Sequence, residues 1–165
     1  MIKIFGALKA MKELGACKLQ KFHLVSIRDN ATSVVYTAID AVSKECLGMH
    51  AVLMHDLQAG EPLRDGEVLP TRDHIEPILE FAKGKDNMAV HCTGGISRSS
   101  AVAFLIECQR TRSADEAAAI LDPKIHFPNR TIIVIGEKIL GMELMPAIDK
   151  FNDMAAKVMF EKDNG

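Results

Sequence analysis

The chain has 165 residues, of which 48% are hydrophobic, and carries a formal charge of −2 at neutral pH. This length and apolar content suffice for one buried core, so we predict a single domain over residues 1–165. The near-neutral charge excludes a global basic field, which makes nucleic acid and anionic membranes poor expected partners. Any bound anion must therefore be held by a local site.

The N-terminal segment and the cysteines indicate a soluble, cytoplasmic protein. Lys3, Lys9 and Lys12 interrupt the apolar core that a signal peptide needs, and no later run approaches about 18 uninterrupted apolar residues. The cysteines are scattered and form no Cys-x-x-Cys pair, which favours reduced thiols over a zinc site or a disulfide scaffold. Outside the motif described below, we expect them to be small core residues: Cys17, Cys46 and Cys108.

The first half of the chain alternates between helix-like and strand-like segments. Helical periodicity predicts a helix over residues 7–16, and compact apolar runs predict buried strands over 22–29 and 50–56. The first of these strands ends in a turn-like "DNATS" at 29–33. A stretch rich in glycine and proline over 57–73 predicts a long loop of the kind that is often functional.

The second half is richer in predicted helix. Apolar spacing predicts a helix over 71–84, although Pro77 is unfavourable there unless the helix begins near it. A strand is predicted over 87–92, and the next segment, 97–110, is apolar on nearly every side, as in a helix surrounded by protein. Further helices are predicted over 113–119, 128–140 and 144–160.

Strands that alternate with helices predict an α/β fold with a central, mostly parallel sheet flanked by helices and a helix-rich C-terminal third. Such sheets bind ligands beyond the carboxyl ends of their strands. The predicted strand over 87–92 ends in His91 and Cys92. The segment that follows it is therefore the first candidate for a site.

The turn after this strand has the composition of an anion-binding loop. Adjacent glycines let consecutive backbone N–H groups point inward, and the N-terminus of the next helix adds its positive end. Arg98 can close the hollow with a planar, two-pronged donor that suits phosphate oxygens. The phosphate-binding residues are then Thr93, Gly94, Gly95, Ile96, Ser97 and Arg98.

Cys92 would lie at the floor of this loop, where inward N–H groups, a helix dipole and a guanidinium all favour a thiolate. The thiolate is a nucleophile aimed at a bound phosphoryl group, and Ser99 can donate a hydrogen bond to the sulfur. His91 is expected to bond backbone carbonyls of the loop and to shape it without exchanging protons. The alternative is a buried cysteine with a purely structural role.

The sequence "HCTGGISRS" over 91–99 resembles the active-site signature of the cysteine-dependent protein tyrosine phosphatases. Within that superfamily, the chain is similar to the compact dual-specificity-like enzymes of the bacterial-type branch, because the signature lies past the middle of the chain. The looser resemblance covers roughly 22–145 and includes "HDLQAGEP" and "HFPNRTIIVIGEKILG". It implies hydrolysis of a phosphomonoester through a cysteinyl-phosphate, with no metal and no cofactor. A rhodanese-type loop is the alternative.

The resemblance also implies a general acid, since family enzymes use an aspartate upstream of the cysteine. Asp56 ends a predicted strand and opens the long loop, which makes it the first candidate. Asp65, in a "DG" turn, is the second, and Asp40, Asp73 or no acid at all remain open. The resemblance implies that Asn129 buttresses the signature loop, and the alternative is a local helix cap.

The sequence says less about the substrate than about the reaction. The loop interior "TGGIS" contains no lysine and no second arginine. This favours phosphotyrosine proteins or peptides, or a mixture of phosphotyrosine and phosphoserine/threonine, bound through their phosphate. The alternatives are an inositol phosphate, a nucleotide or an RNA 5′-phosphate. A phosphoprotein-binding pseudo-phosphatase that has lost turnover is the rival from another functional class.

Overall fold

Four parallel strands form one sheet in a computed structural model that describes residues 1–30 and 33–163. The order across the sheet is β1-β4-β2-β3, so β4 lies between β1 and β2. All five residues of β4 are buried. The strands are β1 (Ile2–Gly6), β2 (His23–Arg28), β3 (Gly48–Leu53) and β4 (Met88–Cys92).

Helices cover both faces of this sheet, as the predicted fold class requires. On one face α1 and α2 pack over a cluster that includes Leu24 and Ala89, and on the other face α3 to α7 pack over a larger cluster that includes Val25 and Val90. Side chains of consecutive strand residues point to opposite faces, which divides the two clusters. The helices are α1 (Ala7–Gly15), α2 (Val34–Val42), α3 (Arg72–Ala82), α4 (Arg98–Thr111), α5 (Ala114–Ala118), α6 (Arg130–Leu140) and α7 (Met145–Asp163).

The N-terminal half contains three elements that were not predicted, β1, α2 and a short 3-10 helix, Ser43–Glu45. β1 is an edge strand that pairs with β4 from Ile2 to Gly6. α2 is rich in β-branched residues, which have modest helix propensity, and it forms over the buried side chains of Tyr36 and Ile39. α1 buries Ala7, Ala10 and Leu14 and leaves Leu8 exposed.

Two expectations on individual elements were wrong. The strand predicted as buried over 50–56 is the edge strand β3, which begins at Gly48 and has partly exposed residues because it pairs only with β2. Pro77 lies inside α3 and not near its start. The helix tolerates it because Pro77 and Asp73 are exposed, so water can hydrate the Asp73 carbonyl that receives no N–H from proline.

α4 begins directly after the signature loop and is buried over most of its length, as predicted for 97–110. It packs against β1, β4, α3, α5 and α6. The loop is therefore fixed at both ends by central elements. Within residues 1–30 and 33–163, no helix has both the length and the apolarity to cross a membrane.

Candidate active site

The loop between β4 and α4 packs against the end of β1. Ala7 N donates to Thr93 O at 3.1 Å, and Gly95 has a positive φ of 77°. A Cβ on Gly95 would lie 2.3 Å from Gly6 N and 2.5 Å from Phe5 C. Because these are backbone atoms that cannot move aside, only glycine fits at residue 95.

The Cys92 side chain is buried at the base of the loop. Gly95 N donates to Cys92 Sγ at 3.2 Å, and Ser99 Oγ lies 3.2 Å from the same sulfur. The contact between Cys92 and Ser99 is the one expected from the sequence. An ionised sulfur can only accept, so Ser99 Oγ then donates to it alongside Gly95 N, and these two donors stabilise the negative charge of a nucleophilic thiolate.

The other cysteines lack this environment. Burial raises the pKa of Cys108 to about 12 and also raises the pKa of Cys46, so both are held as thiols at neutral pH. Cys17 is exposed and has a φ of 55°, so the expectation that it is a core residue was wrong. It lies in the turn after α1, where its side chain has no apolar cluster to join.

Arg98 is buried, with its guanidinium held from several sides. Nη1 donates to Asp29 Oδ1 and to Met54 O at 2.7 Å, and Nη2 donates to Thr93 Oγ1 at 3.3 Å. Nε is buried and has no hydrogen-bond partner among the described residues, and it lies 4.0 Å from Asp56 Oδ2. The Nε–Nη2 edge therefore lies between the signature loop and Asp56, where it is available to a bound anion.

Asp56 lies beside the loop and is held through one carboxylate oxygen. Oδ1 accepts from Ser97 Oγ at 2.7 Å and from Asn129 Nδ2 at 2.8 Å. Asn129 also caps α6, because its Oδ1 accepts from Ile132 N at 3.1 Å. The side chain of Asn129 therefore caps α6 and holds Asp56, and its contact with the signature loop is through the backbone, where Asn129 N donates to Ser97 O at 3.3 Å. A buttressing role for Asn129 stays a prediction.

The loop that carries Asp56 is closed at its base. His55 N donates to Val68 O at 2.8 Å, and Val68 N donates to His55 Nδ1 at 2.9 Å. Asp65 lies at the exposed far end of this loop, in a turn in which Gly66 has a φ of 80°. The geometry therefore favours Asp56 over Asp65 as the acid.

His91 lies on the opposite face of β4 from Cys92. Its ring stacks on Tyr36 with the centroids 6.2 Å apart, and neither ring nitrogen makes a hydrogen bond within the part of the chain that is described. The expected bonds to loop carbonyls are thus absent. Burial lowers the pKa of His91 to about 4, and the interaction of the ring with the backbone of Cys92 opposes this effect.

Two residues at the site were missed by the sequence analysis. Asp29 follows β2 and accepts from Thr93 Oγ1 and Arg98 Nη1, and the Tyr36 hydroxyl lies 3.0 Å from Thr93 Oγ1. Asp29 had been assigned to a turn, of which Ala31 and Thr32 lie outside the described residues. Its position at the carboxyl end of a parallel strand was the available indication.

The charge state of Asp29 follows from these contacts. Partial burial favours the neutral acid, but the hydrogen bonds from Arg98 and Thr93 and the charge of Arg98 outweigh burial and lower the pKa of Asp29 below its model-peptide value of 3.8. Asp29 is therefore a carboxylate at neutral pH. A carboxylate accepts hydrogen bonds and cannot serve as a proton donor.

A surface groove of about 570 Å³ begins next to this site, between the long loop and α6. It is lined by residues from both sides, among them Gln58, Pro70, Thr131, Val134 and Lys138. A groove of about 660 Å³ between α5 and α7 lies beyond the other end of α4. No cluster of side chains suited to a metal ion occurs within residues 1–30 and 33–163.

Burial of a neutral His91 makes stability depend on pH. Its pKa is lowered from 6.5 to about 4 on folding, so the unfolded chain binds a proton that the folded chain excludes. As pH falls from about 6.5 towards 4, the free energy of unfolding of the wild type should decrease by up to about 1.4 kcal/mol per pH unit. His91→Phe keeps a ring against Tyr36 and should lack this contribution. Urea unfolding of both proteins between about pH 7 and pH 5 measures how the free energy of unfolding depends on pH. The same pH dependence in the wild type and in His91→Phe would contradict the prediction.

Comparison with known proteins agrees with the fold. No family model matches the sequence, and no curated protein matches it. Human DUSP28 superposes with a TM-score of 0.56 over 85% of this chain and 91% of its own, at 18% identity. PTPMT1 superposes with a TM-score of 0.56 over 95% of this chain and 95% of its own, at 13% identity. DUSP15 superposes with a TM-score of 0.55 over 92% of this chain and 90% of its own, at 15% identity. The chain therefore has the fold of the cysteine-dependent protein tyrosine phosphatase superfamily, in the form of its dual-specificity-like members.

Proposed function

We propose that this chain is a phosphomonoester hydrolase of the protein tyrosine phosphatase type that works through a cysteinyl-phosphate. The observation that carries the proposal is the placement of Cys92 Sγ within hydrogen-bond distance of Gly95 N and Ser99 Oγ, in a glycine loop that Arg98 bonds through Thr93. A purely structural cysteine would need neither the donors nor the guanidinium. We also propose that the chain is a single domain and that the protein is cytoplasmic, as expected from the sequence.

In the first step, the Cys92 sulfur attacks phosphorus and the bond from phosphorus to the leaving oxygen breaks. The leaving oxygen takes a proton from Asp56. Ser97 and Asn129 hold Oδ1 of Asp56, which leaves Oδ2, on the side of Arg98, to carry that proton. The equatorial phosphoryl oxygens are bound by the N–H groups of residues 93–98 and by the Nε–Nη2 edge of Arg98.

In the second step, water attacks phosphorus and the bond between phosphorus and sulfur breaks. Asp56, now a carboxylate, takes a proton from the water, and the Cys92 thiolate is released. Ser99 and the Gly95 N–H stabilise the sulfur as it leaves. Phosphate is the second product, and the enzyme returns to its starting protonation state.

We propose phosphotyrosine in proteins or peptides as the main substrate, with phosphoserine and phosphothreonine as further substrates. Ile96 and Phe127 are exposed and joined by a hydrogen bond from Phe127 N to Ile96 O at 3.0 Å, so they supply an apolar rim for an aromatic leaving group. The neighbouring groove gives room for flanking peptide residues.

An inositol phospholipid headgroup is the second candidate, because a solved structure of PTPMT1 with the same fold holds PI(5)P. Two carboxylates, Asp29 and Asp56, flank Arg98, and residues 93–97 contain no further cation. This charge arrangement disfavours a ligand with several phosphates.

Mutation of Cys92 tests the covalent mechanism. Cys92→Ser should lower turnover of para-nitrophenyl phosphate by about 10³-fold or more, because a hydroxyl is a far poorer nucleophile at neutral pH. Phosphate binding, measured by calorimetry, should persist because the loop and Arg98 are intact. Cys17→Ser is the control and should retain full activity. Residual activity of Cys92→Ser within about tenfold of wild type would exclude the cysteinyl-phosphate.

Mutation of Asp56 tests the assignment of the acid. Asp56→Asn should slow hydrolysis of phosphotyrosine by about 10²- to 10⁴-fold, because its leaving oxygen must be protonated. Aryl phosphates with strongly acidic leaving groups should be slowed much less. Asp65→Asn removes a carboxyl from the exposed turn and should change neither rate. If the dependence on leaving group appeared in Asp65→Asn instead, the acid would be assigned to the loop tip.

A substrate panel tests the proposed specificity. Wild-type protein should hydrolyse phosphotyrosine peptides with a higher kcat/KM than inositol phosphates at matched concentrations, because the rim is apolar and the neighbouring charges are acidic. Released inorganic phosphate measures both reactions. Faster hydrolysis of the inositol phosphates would replace the protein substrate with the headgroup.

A further inference from the structure

The groove between the long loop and α6 begins at the residues that hold Asp56. Asn129 Nδ2 donates to Asp56 Oδ1, and Thr131 Oγ1 accepts from Ala59 N at 2.7 Å. Thr131 N also donates to Gln58 Oε1 at 3.3 Å. These bonds hold the loop against the start of α6. The groove therefore has a fixed position relative to the proposed acid.

One side of α6 forms a wall of this groove. Arg130, Val134 and Lys138 follow one another at intervals of four residues, which places them on the same side of the helix. Val134 is 39% exposed, and Pro70 and Ile135 add further apolar surface. The groove thus combines apolar surface with two cationic side chains, and none of the described residues that line it is acidic.

The two cations of the groove differ in how far their charge is neutralised. Arg130 Nη1 donates to Asp149 Oδ1 on α7, and both side chains are about half exposed. Lys138 is exposed and has no hydrogen bond or ion pair with any residue in 1–30 or 33–163. On the loop side, the carboxylate of Glu61 accepts from Gln58 N. Lys138 therefore supplies the uncompensated positive charge of the groove.

Lys138 also has a structural explanation. It lies in the last turn of α6, where a cation interacts favourably with the helix dipole. That interaction stabilises the helix whatever ligand is bound, so it predicts no dependence of hydrolysis on the charge of the substrate. A comparison of substrates therefore separates a binding role from the structural one.

The position of Lys138 sets the distance from the reaction site. Lys138 lies nine residues after Asn129, which corresponds to about 14 Å along α6 at about 1.5 Å per residue. An extended peptide advances about 3.3 Å per residue and covers this distance in about four residues. A phosphotyrosine whose leaving oxygen lies at Asp56 would thus place a residue about four positions away beside Lys138.

We propose that this groove binds the segment of the substrate that flanks the phosphotyrosine, and that Lys138 pairs with an acidic side chain about three to five residues away from it. The inference rests on the proposed phosphatase function and adds a sequence preference to it. The apolar side chains of the groove contact the residues in between. Lys138 acts on the choice of peptide and not on the chemical step.

The experiment uses phosphotyrosine peptides with one glutamate, glutamine or lysine at the third, fourth or fifth position on either side of the phosphotyrosine. At one or more positions, glutamate should raise kcat/KM about three- to fivefold over glutamine, and lysine should lower it, as for an exposed ion pair. The preference should disappear at about 1 M salt. Equal kcat/KM for glutamate and glutamine at every position would overturn the inference.

Substitution of Lys138 assigns the preference to this residue. Lys138→Gln should abolish the preference for glutamate, and Lys138→Glu should reverse it in favour of lysine. Lys150→Gln is the matched control, because Lys150 is an exposed helical lysine that lines the groove between α5 and α7 and pairs with Asp115. It should keep the wild-type preference, and thermal unfolding confirms that each variant is folded.

Two results with these proteins would contradict the inference. The first is a preference for glutamate that survives in Lys138→Gln. The second is a preference for a second phosphate, offered as phosphoserine at the same position, without any preference for glutamate. That result would assign the groove to a phosphate and not to a carboxylate.

Peptide binding separates this inference from the proposed function. An inactive wild type would contradict hydrolysis, but calorimetry with Cys92→Ser would still compare the Kd of the glutamate and glutamine peptides. We expect glutamate to lower the Kd by about the same three- to fivefold, and the difference to vanish when Lys138→Gln is added. Equal Kd values for the two peptides would overturn the inference independently of turnover.

Discussion

The site depends on the close backbone contact between the end of β1 and the signature loop. Gly95 lies against Gly6 and Phe5 at distances that leave no space for a Cβ, and a Cβ on Gly6 would lie 2.8 Å from Gly94 O. This contact exists only because β1 pairs with β4 in parallel, with Gly6 opposite Cys92. The contact fixes the bend of the loop that directs the Gly95 N–H at the Cys92 sulfur, and the chemistry proposed for Cys92 depends on that bend.

The sheet order then brings three strand ends to one place. β4 supplies Cys92, its neighbour β2 is followed by Asp29, and Met54 and Asp56 come directly after β3. Arg98, at the start of α4, bonds Asp29 and the Met54 carbonyl and lies near Asp56. The two carboxylates have different surroundings, since Asp29 is bonded through both oxygens and Asp56 through only one. That difference is the physical basis for proposing Asp56, and not Asp29, as the group that transfers a proton.

The parts of the site that could be predicted are those formed by residues close together in the sequence. The glycine loop and the pairing of Cys92 with Ser99 lie inside the motif, and the buried helix begins within it. Asp56 was found through the resemblance to a known family. Asp29 and Tyr36 lie 64 and 57 positions from Thr93, so their contacts arise only from the sheet order and the packing of α2. No local pattern contains that information.

The error on His91 has a similar physical origin. The prediction placed the His91 ring with the loop because the residue adjoins Cys92 in sequence, but adjacent residues of a strand face opposite sides of the sheet. Cys92 joins the cluster under α4, and the His91 ring faces α2, where it stacks on Tyr36. His91 therefore supports the loop by packing, and a neutral ring suits that role because burial disfavours its charged form.

Thr93 connects this second face of the sheet to the reaction site, and the direction of its hydrogen bonds can be deduced. The Thr93 hydroxyl has one proton and must give it to Asp29, because an ionised carboxylate only accepts. Thr93 Oγ1 then has only lone pairs to offer, so the Tyr36 hydroxyl donates to it, as Arg98 Nη2 does. The polarity of the chain from Tyr36 through Thr93 to Asp29 is thus set by the negative charge of Asp29, which the hydrogen bonds from Arg98 and Thr93 stabilise.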